Sequence, residues 1–140
     1  MSSIKFVIEN GAYLPTRSHA YDAGIDLISP VDAVIPARGY VKIDLGVRVE
    51  IPTCFYGKLE SRSGMMARGV TTMGGVIDSG YRGTIGVVLR NHNDYDAAIH
   101  RGDRVTQMVI MPYADVDIEQ ADGFDEETER GANGFGSTGR

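Results

Sequence analysis

The stretch Tyr40-Val-Lys-Ile-Asp-Leu-Gly-Val-Arg-Val-Glu-Ile51 decides the fold. In its second half Val47, Val49 and Ile51 alternate with Arg48 and Glu50, the period of two that marks a strand with one face buried and one in water. Its first half, Tyr40 to Leu45, is a further β-rich run, and Leu-Gly between them is a turn. The same alternation returns at the N-terminal end, where Ile4, Phe6 and Ile8 are separated by Lys5, Val7 and then Glu9. More short β-rich runs cover Tyr56 to Glu60, Thr84 to Arg90 and Val105 to Met111. Turn clusters divide them: Ser29-Pro-Val-Asp32, Pro36-Ala-Arg-Gly39, Asn91-His-Asn-Asp94 and His100-Arg-Gly-Asp103. Many short strands between turns predict an all-β, jelly-roll-like β-sandwich. The one helical candidate, Ser63 to Arg68, has room for only a turn or two.

Composition sets the limits. The chain has 140 residues, a formal charge of −5, 42% hydrophobic residues, one Cys and no Trp. That length suits one domain that needs no disulfide or metal to hold it. From Gly123 onward the sequence has almost no apolar residues except Phe124 and Phe135, so residues 1–122 are expected to form the domain and residues 123–140 a flexible C-terminal arm. The start MSSIKFVIENG lacks a charged region followed by an apolar core, and no run approaches a membrane span, so an intracellular, cytoplasmic protein is expected. An acidic chain argues against bulk binding to nucleic acid. Lone Cys54 is read as a small buried hydrophobe. The 18 glycines exceed the usual share and cluster between residues 57 and 86 and in the arm.

Five segments could carry chemistry. In Ala20-Tyr-Asp-Ala-Gly-Ile-Asp-Leu27, Asp22 and Asp26 either cap turns or place a carboxylate to hold water on a metal ion; taken alone, the turn reading is favoured. In Gly57-Lys-Leu-Glu-Ser-Arg-Ser-Gly-Met-Met-Ala-Arg-Gly69 a strand runs into Arg62, Ser63 and Gly64. These are the ingredients of an anion site, unless Ser63 merely caps the helix. It is not a P-loop, since Gly-x4-Gly-Lys-Ser/Thr is absent. Gly74-Gly-Val-Ile-Asp-Ser-Gly-Tyr-Arg-Gly83 reads as a hairpin with Asp78 at its tip, either bonding its own backbone or, beside Val76 and Ile77, partly desolvated as a general base. Arg101-Gly-Asp-Arg-Val-Thr-Gln107 is a turn before a strand, and Gln107 inside that apolar run needs a partner or a wet cleft. Finally, Arg130-Gly-Ala-Asn-Gly-Phe-Gly-Ser-Thr-Gly-Arg140 is either a loose tail or an arm whose Phe135 stacks on a base while polar groups hold phosphate.

In this order and spacing the five segments resemble the homotrimeric deoxyuridine triphosphate nucleotidohydrolases (dUTPases), with GGVIDSGYRG and RGANGFGSTG the most specific pieces. The resemblance covers about Ala20 to Arg140. It implies a jelly-roll trimer with active sites shared between subunits, and hydrolysis of dUTP to dUMP and pyrophosphate, which limits uracil in DNA and supplies dUMP for dTTP synthesis. By that resemblance Asp78 is the general base for the water attacking the α-phosphorus, and Gln107 helps hold that water. Arg62, Ser63 and Gly64 bind the phosphates, with Ser63 polarising the group being cleaved. Asp26 acts through water on Mg2+ chelated by the triphosphate. Tyr81 packs beneath the deoxyribose and excludes a 2′-OH, while Gly75, Val76 and Ile77 read the uracil edge. In the arm, Phe135 and Gly136 close over the base, and Arg130, Ser137 and Thr138 grip the phosphates. Three positions depart from the commonest family pattern: Ser61, Thr72 and Thr106.

Rival readings share parts of this set. The related dCTP deaminases need a Glu in the strand after the hairpin, and the matching position here is Val88, which cannot transfer protons. A regulator whose arm orders on dUTP and changes a protein-binding surface is a second possibility if the chain is phage-encoded, acting then in the host cytoplasm, although no inserted domain favours it. An Arg-Gly-Asp adhesion module would require export. The expected partners are therefore dUTP and two further copies of the chain, with no nucleic-acid or membrane surface.

Overall fold

The computed structural model describes residues 3–136 and 139. In chain order the strands are β1 (Lys5–Ile8), β2 (Gly24–Ile28), β3 (Ala33–Ile35), β4 (Tyr40–Asp44), β5 (Val47–Glu50) and β6 (Phe55–Glu60). The single helix α1 (Ser63–Ala67) follows, and then β7 (Val70–Thr72), β8 (Val76–Ile77), β9 (Gly86–Asn91), β10 (Ala97–Ile99) and β11 (Arg104–Pro112). The protein is all-β and jelly-roll-like, as the strand pattern predicts. A four-stranded sheet runs β2-β11-β6-β8 and a three-stranded one β4-β9-β7, with two-stranded pairs β1-β5 and β10-β3, each pairing antiparallel.

The alternation that identified β5 does what it implies: Val47 and Val49 are buried while Arg48 and Glu50 are exposed. These side chains join Leu27, Leu45, Ile85, Leu89 and Met108 in one core. Each fully buried aliphatic side chain of this kind contributes on the order of 1.5–3 kcal/mol relative to exposure. The strands β2, β3, β7, β8 and β10 escape the sequence pattern. In β2 the run Ile25-Asp26-Leu27 is buried throughout, so it shows no alternation.

Three local expectations need correction. The segment Gly74 to Gly83 is not a β-hairpin: β8 pairs with β6, Gly57 facing Ile77 and Lys58 facing Val76, and the chain beyond the Asp78–Tyr81 turn enters the other sheet as β9. Cys54 is exposed, not buried, because the Pro52-Thr-Cys-Phe55 turn places it in the left-handed region at φ 68°. Ser63 does not cap α1; Arg62 holds the cap position and no side chain bonds the helix start.

Beyond Pro112 the described residues contain neither strand nor helix, and residues 113–136 are all exposed. Among the described residues no helix is long and apolar enough to cross a membrane.

One buried polar residue ties the turns to the core. Asn91, wholly inaccessible to solvent, donates from Nδ2 to the carbonyls of Ile35 at 3.1 Å and Tyr95 at 2.7 Å, and accepts the Asn93 N–H at 3.0 Å. Replacing Asn91 with Leu strands these groups, so urea titration at fixed protein concentration is expected to show a loss of about 2–3 kcal/mol in unfolding free energy.

Candidate functional site

The centre of β11 assembles one group of predicted residues. Its register sets Gln107 opposite Asp26 of β2 on one side and Glu60 of β6 on the other. Asp26 is held from a further direction as well, because its backbone exchanges hydrogen bonds with Thr16 at 2.7 and 3.2 Å. A carboxylate fixed in a sheet with 6% exposure requires a partner. Arg62, two residues past the end of β6, supplies it: Nε donates to Asp26 Oδ1 at 2.9 Å. Ser18 donates to Oδ2 at 3.2 Å, and Arg104 lies 4.0 Å from the same oxygen. Ser18 and Arg104 are absent from the sequence-based set, and no spacing links them to Asp26.

This geometry corrects two expectations. Asp26 does not cap a turn; that task falls to Asp22, which accepts the His19 N–H at 2.9 Å. Nor does Arg62, read as an ingredient of an anion site beside Ser63, stand unpaired: its guanidinium is turned onto Asp26. Ser63 and Gly64 are exposed, and nothing lies within 4 Å of where a Cβ on Gly64 would stand.

Gln107 finds the partner that its apolar surroundings demand. Its Nε2 donates to the Ser61 carbonyl at 2.9 Å, and its side chain lies across Gly24, where any Cβ would overlap its carboxamide. Gly24 is thus glycine because the amide occupies the space a side chain would need.

A second group sits at the opposite end of β6. A cavity of about 510 Å³ is lined by Gly75, Val76, Ile77, Asp78 and Tyr81, together with Lys42, Asp44, Thr84 and Gly86. Gly75 is forced by close approach: at φ 125° its backbone lies against Leu59, whose Cδ1 would stand 2.8 Å from a Cβ. Tyr81 is aimed by its hydroxyl, which donates to the Thr84 carbonyl at 2.8 Å. The Thr84 hydroxyl in turn donates to Asp44 Oδ2 at 3.1 Å. Lys42 and Asp44 were missed because their positions on β4 read only as its outward polar face.

Asp78 does not have the desolvation expected of it within one chain. It is exposed, and Val76 beside it is 64% exposed; only Ile77 turns inward. The Arg101-Gly-Asp103 turn is occupied structurally, with the Arg101 guanidinium on the carbonyls of Pro30 and Gly11 at 2.8 and 3.0 Å. On the outer face of β6 the Lys58 ammonium is pushed to a higher pKa by its hydrogen bond to Glu60, 2.7 Å away. Another cleft, about 520 Å³, is lined mainly by apolar side chains such as Phe6, Leu14, Phe55 and Ile110 and holds none of the predicted residues.

The arm stands away from both groups. Phe135 is fully exposed, and among the described residues Arg130 bonds only within the arm, its Nε donating to the Asn133 carbonyl at 2.8 Å. Ser137 and Thr138 lie outside the described residues.

Fold and site define a jelly-roll-like β protein with a recessed polar pocket on one side and an arginine–carboxylate–amide corner on another, the equipment for a ligand with both a flat moiety and an anionic chain. A sequence model described as dUTPase matches residues 10–139. The deoxyuridine 5'-triphosphate nucleotidohydrolase of Arabidopsis thaliana is 42% identical over 129 residues, 91% of this chain and 77% of that protein. That of Variola virus is 39% identical over 139 residues, covering 99% and 94%. Among solved structures, a Staphylococcus bacteriophage 80alpha dUTPase with dUPNHPP superposes with a TM-score of 0.92 at 28% identity over all of both chains. A mutant dUTPase from phage phi11 of S. aureus, described with a structural Mg(II) ion, gives a TM-score of 0.82 at 25% identity, covering 89% of this chain and 100% of that one. The chain belongs to the dUTPase family.

The contact between Gly24 and Gln107 yields a direct check. Gly24→Ala is expected to push the Gln107 amide off the Ser61 carbonyl, lowering activity to that of Gln107→Ala. A melting temperature within a few degrees of the parent would show that the fold survives, since the displaced group is the end of a flexible side chain.

Proposed function

We infer that this chain hydrolyses dUTP to dUMP and pyrophosphate at sites completed by more than one copy of itself, with Asp78 as the base. The hydrolytic activity follows from membership of the dUTPase family and from the nucleotidohydrolase relatives. The division of labour rests on one observation: Asp78 and Arg62 lie at opposite ends of β6. Ile77 faces Gly57, so Asp78 falls beyond it on the Tyr56 side, while Arg62 lies five residues the other way. At about 3.3 Å per residue that separation is roughly 15–20 Å, too far for a base and a phosphate clamp to share one α-phosphate. A neighbouring copy that brings its Arg62 corner to the Asp78 pocket removes the conflict, and the homotrimer implied by the sequence resemblance does this three times by symmetry.

In that arrangement uracil enters the 510 Å³ cavity along the backbone of Gly75, Val76 and Ile77. Tyr81, oriented through Thr84, packs beneath the deoxyribose and fills the space that a 2′-OH would need. Asp78 accepts a proton from water as its oxygen bonds to the α-phosphorus and the bond to the bridging oxygen of the leaving pyrophosphate breaks. Gln107 orients that water, and Arg62, Ser63 and Gly64 hold the phosphate chain. Positioning and charge neutralisation therefore carry most of the catalysis. Residues 123–140 act as the arm: Phe135 and Gly136 cover the base, Arg130, Ser137 and Thr138 grip phosphate, and closure excludes bulk water.

The residues fit Mg2+ that arrives with the nucleotide. Among the described residues no cluster of three or more His, Cys, Asp or Glu could cage a metal. A single carboxylate, Asp26, stands at the phosphate corner, and Mg2+ characteristically takes one or two carboxylates, waters and substrate phosphates as its ligands. When bound, it neutralises charge on the triphosphate oxygens. Asp26 would hold it through one of its waters, and the same carboxylate accepts from Arg62.

Mixing tests the sharing of sites. Asp78→Asn is expected to bind dUTP but lose about 10²- to 10⁴-fold in kcat, and Arg62→Ala to be similarly poor. Unfolding and refolding the two together should regenerate active sites in about a quarter of cases, through pairing of intact halves from different chains. Pyrophosphate release that stays at the level of the separate variants would refute shared sites. Truncation after Glu129 should leave a folded protein with little activity; full turnover by that variant would remove the arm from the mechanism.

A further inference from the structure

Ser61, Thr72 and Thr106, the three positions that depart from the commonest family pattern, are joined in one hydrogen-bonded set. A hydroxyl has one proton to give. Thr106 gives its proton to the Glu60 carbonyl at 2.9 Å. In the 2.8 Å contact between the Thr106 and Thr72 hydroxyls the donor must then be Thr72. The Thr72 N–H donates to the Ser61 hydroxyl at 2.8 Å, and the Ser61 carbonyl accepts the amide of Gln107.

The placement of this set is unusual in two ways. Thr72 closes β7 in the three-stranded sheet, whereas Thr106 and Glu60 belong to β11 and β6 in the four-stranded one, so the bonds join the two sheets. Thr106 is wholly buried beside wholly buried Val105. Strand alternation forbids two inward neighbours, and a register shift between Arg104 and Thr106 in the β11–β2 pairing permits them. A network with every member satisfied is rigid, and its centre, Thr106, is wholly buried, so removing that hydroxyl takes a partner from both the Thr72 hydroxyl and the Glu60 carbonyl.

We propose that Thr106 and Thr72 are positioning residues for hydrolysis: their hydroxyl relay fixes the Glu60–Ser61 segment, and through it the amide of Gln107 and the guanidinium of Arg62, at the phosphate chain. The proposal rests on the roles of Gln107 and Arg62 given under the proposed function. Ser61 is the lever, since it docks Gln107 through its carbonyl and leads directly into Arg62. The Thr72 hydroxyl is taken by Thr106 and its N–H by Ser61, so Thr72 serves the phosphate end and not the base.

The test measures kcat and KM for dUTP, well below the melting temperature, in Thr106→Val, Thr106→Ser, Gln107→Ala and the double variant Thr106→Val/Gln107→Ala. Thr106→Val keeps shape but removes the relay. Its kcat is expected to fall roughly tenfold with KM changed less than about threefold, because an ångström-scale misplacement at the phosphates slows the chemistry while the base and sugar pocket is untouched. Thr106→Ser, which restores the hydroxyl, should recover most of kcat. Added to Gln107→Ala, the Val substitution should cost clearly less than the roughly tenfold it costs alone, since the part acting through Gln107 is already lost and only the part acting through Arg62 remains. Parental kcat in Thr106→Val alongside a slow Gln107→Ala, or full additivity in the double variant, would overturn the proposal while leaving the role of Gln107 standing. Parental kcat in Gln107→Ala would instead remove the role on which the proposal rests. If Thr106→Val does not fold, Thr72→Val interrupts the same relay, and the same outcomes decide.

Discussion

The register of β11 between β2 and β6 is the constraint on which the other features depend. It sets Gln107 against Asp26 and Glu60, brings Arg62 onto Asp26, and carries Met108 into the core. A slip by one residue would send Gln107 to the opposite face of the sheet and Met108 into the place of a polar side chain. The core therefore enforces the site: burying Val105 and Met108 leaves one register for Gln107. The register shift between Arg104 and Thr106 lets Val105 be buried as well, while Thr106 keeps the face of Met108 by ordinary alternation.

Charge is arranged on two scales. Locally, Arg62 and Asp26 neutralise one another, so the guanidinium is paired with a carboxylate instead of standing free in solvent. On the scale of the chain, eight of the 19 acidic residues fall between 115 and 129, a stretch with no Lys or Arg. The remainder of the protein is accordingly net positive, and the overall acidity understates how well the sandwich suits an anion.

The two halves of the site differ in how they are built. The cavity around Asp78 is framed by backbone and by an oriented aromatic ring, suitable for reading a flat base and a sugar. The corner around Arg62 is made of side chains in a hydrogen-bonded set that reaches both sheets. One chain keeps the two groups apart along β6.

Sequence by itself determined the fold class, the strands β1, β4, β5, β6, β9 and β11, and the family to which the chain belongs. Period-two burial is a local property, and short motifs such as Gly74 to Gly83 keep their residue types whatever surrounds them. It failed at Cys54, at the supposed hairpin and at the direction of Arg62, because exposure and pairing depend on neighbours distant in the chain. Lys42, Asp44, Ser18 and Arg104 gave no local signal for the same reason. Only the tertiary structure decided that Asp26 is buried against Arg62, that β8 pairs with β6, and that Ser61, Thr72 and Thr106 form one set. Hydrogen bonds between residues 11 to 46 positions apart are invisible to any periodicity and exist only once the sheets have packed.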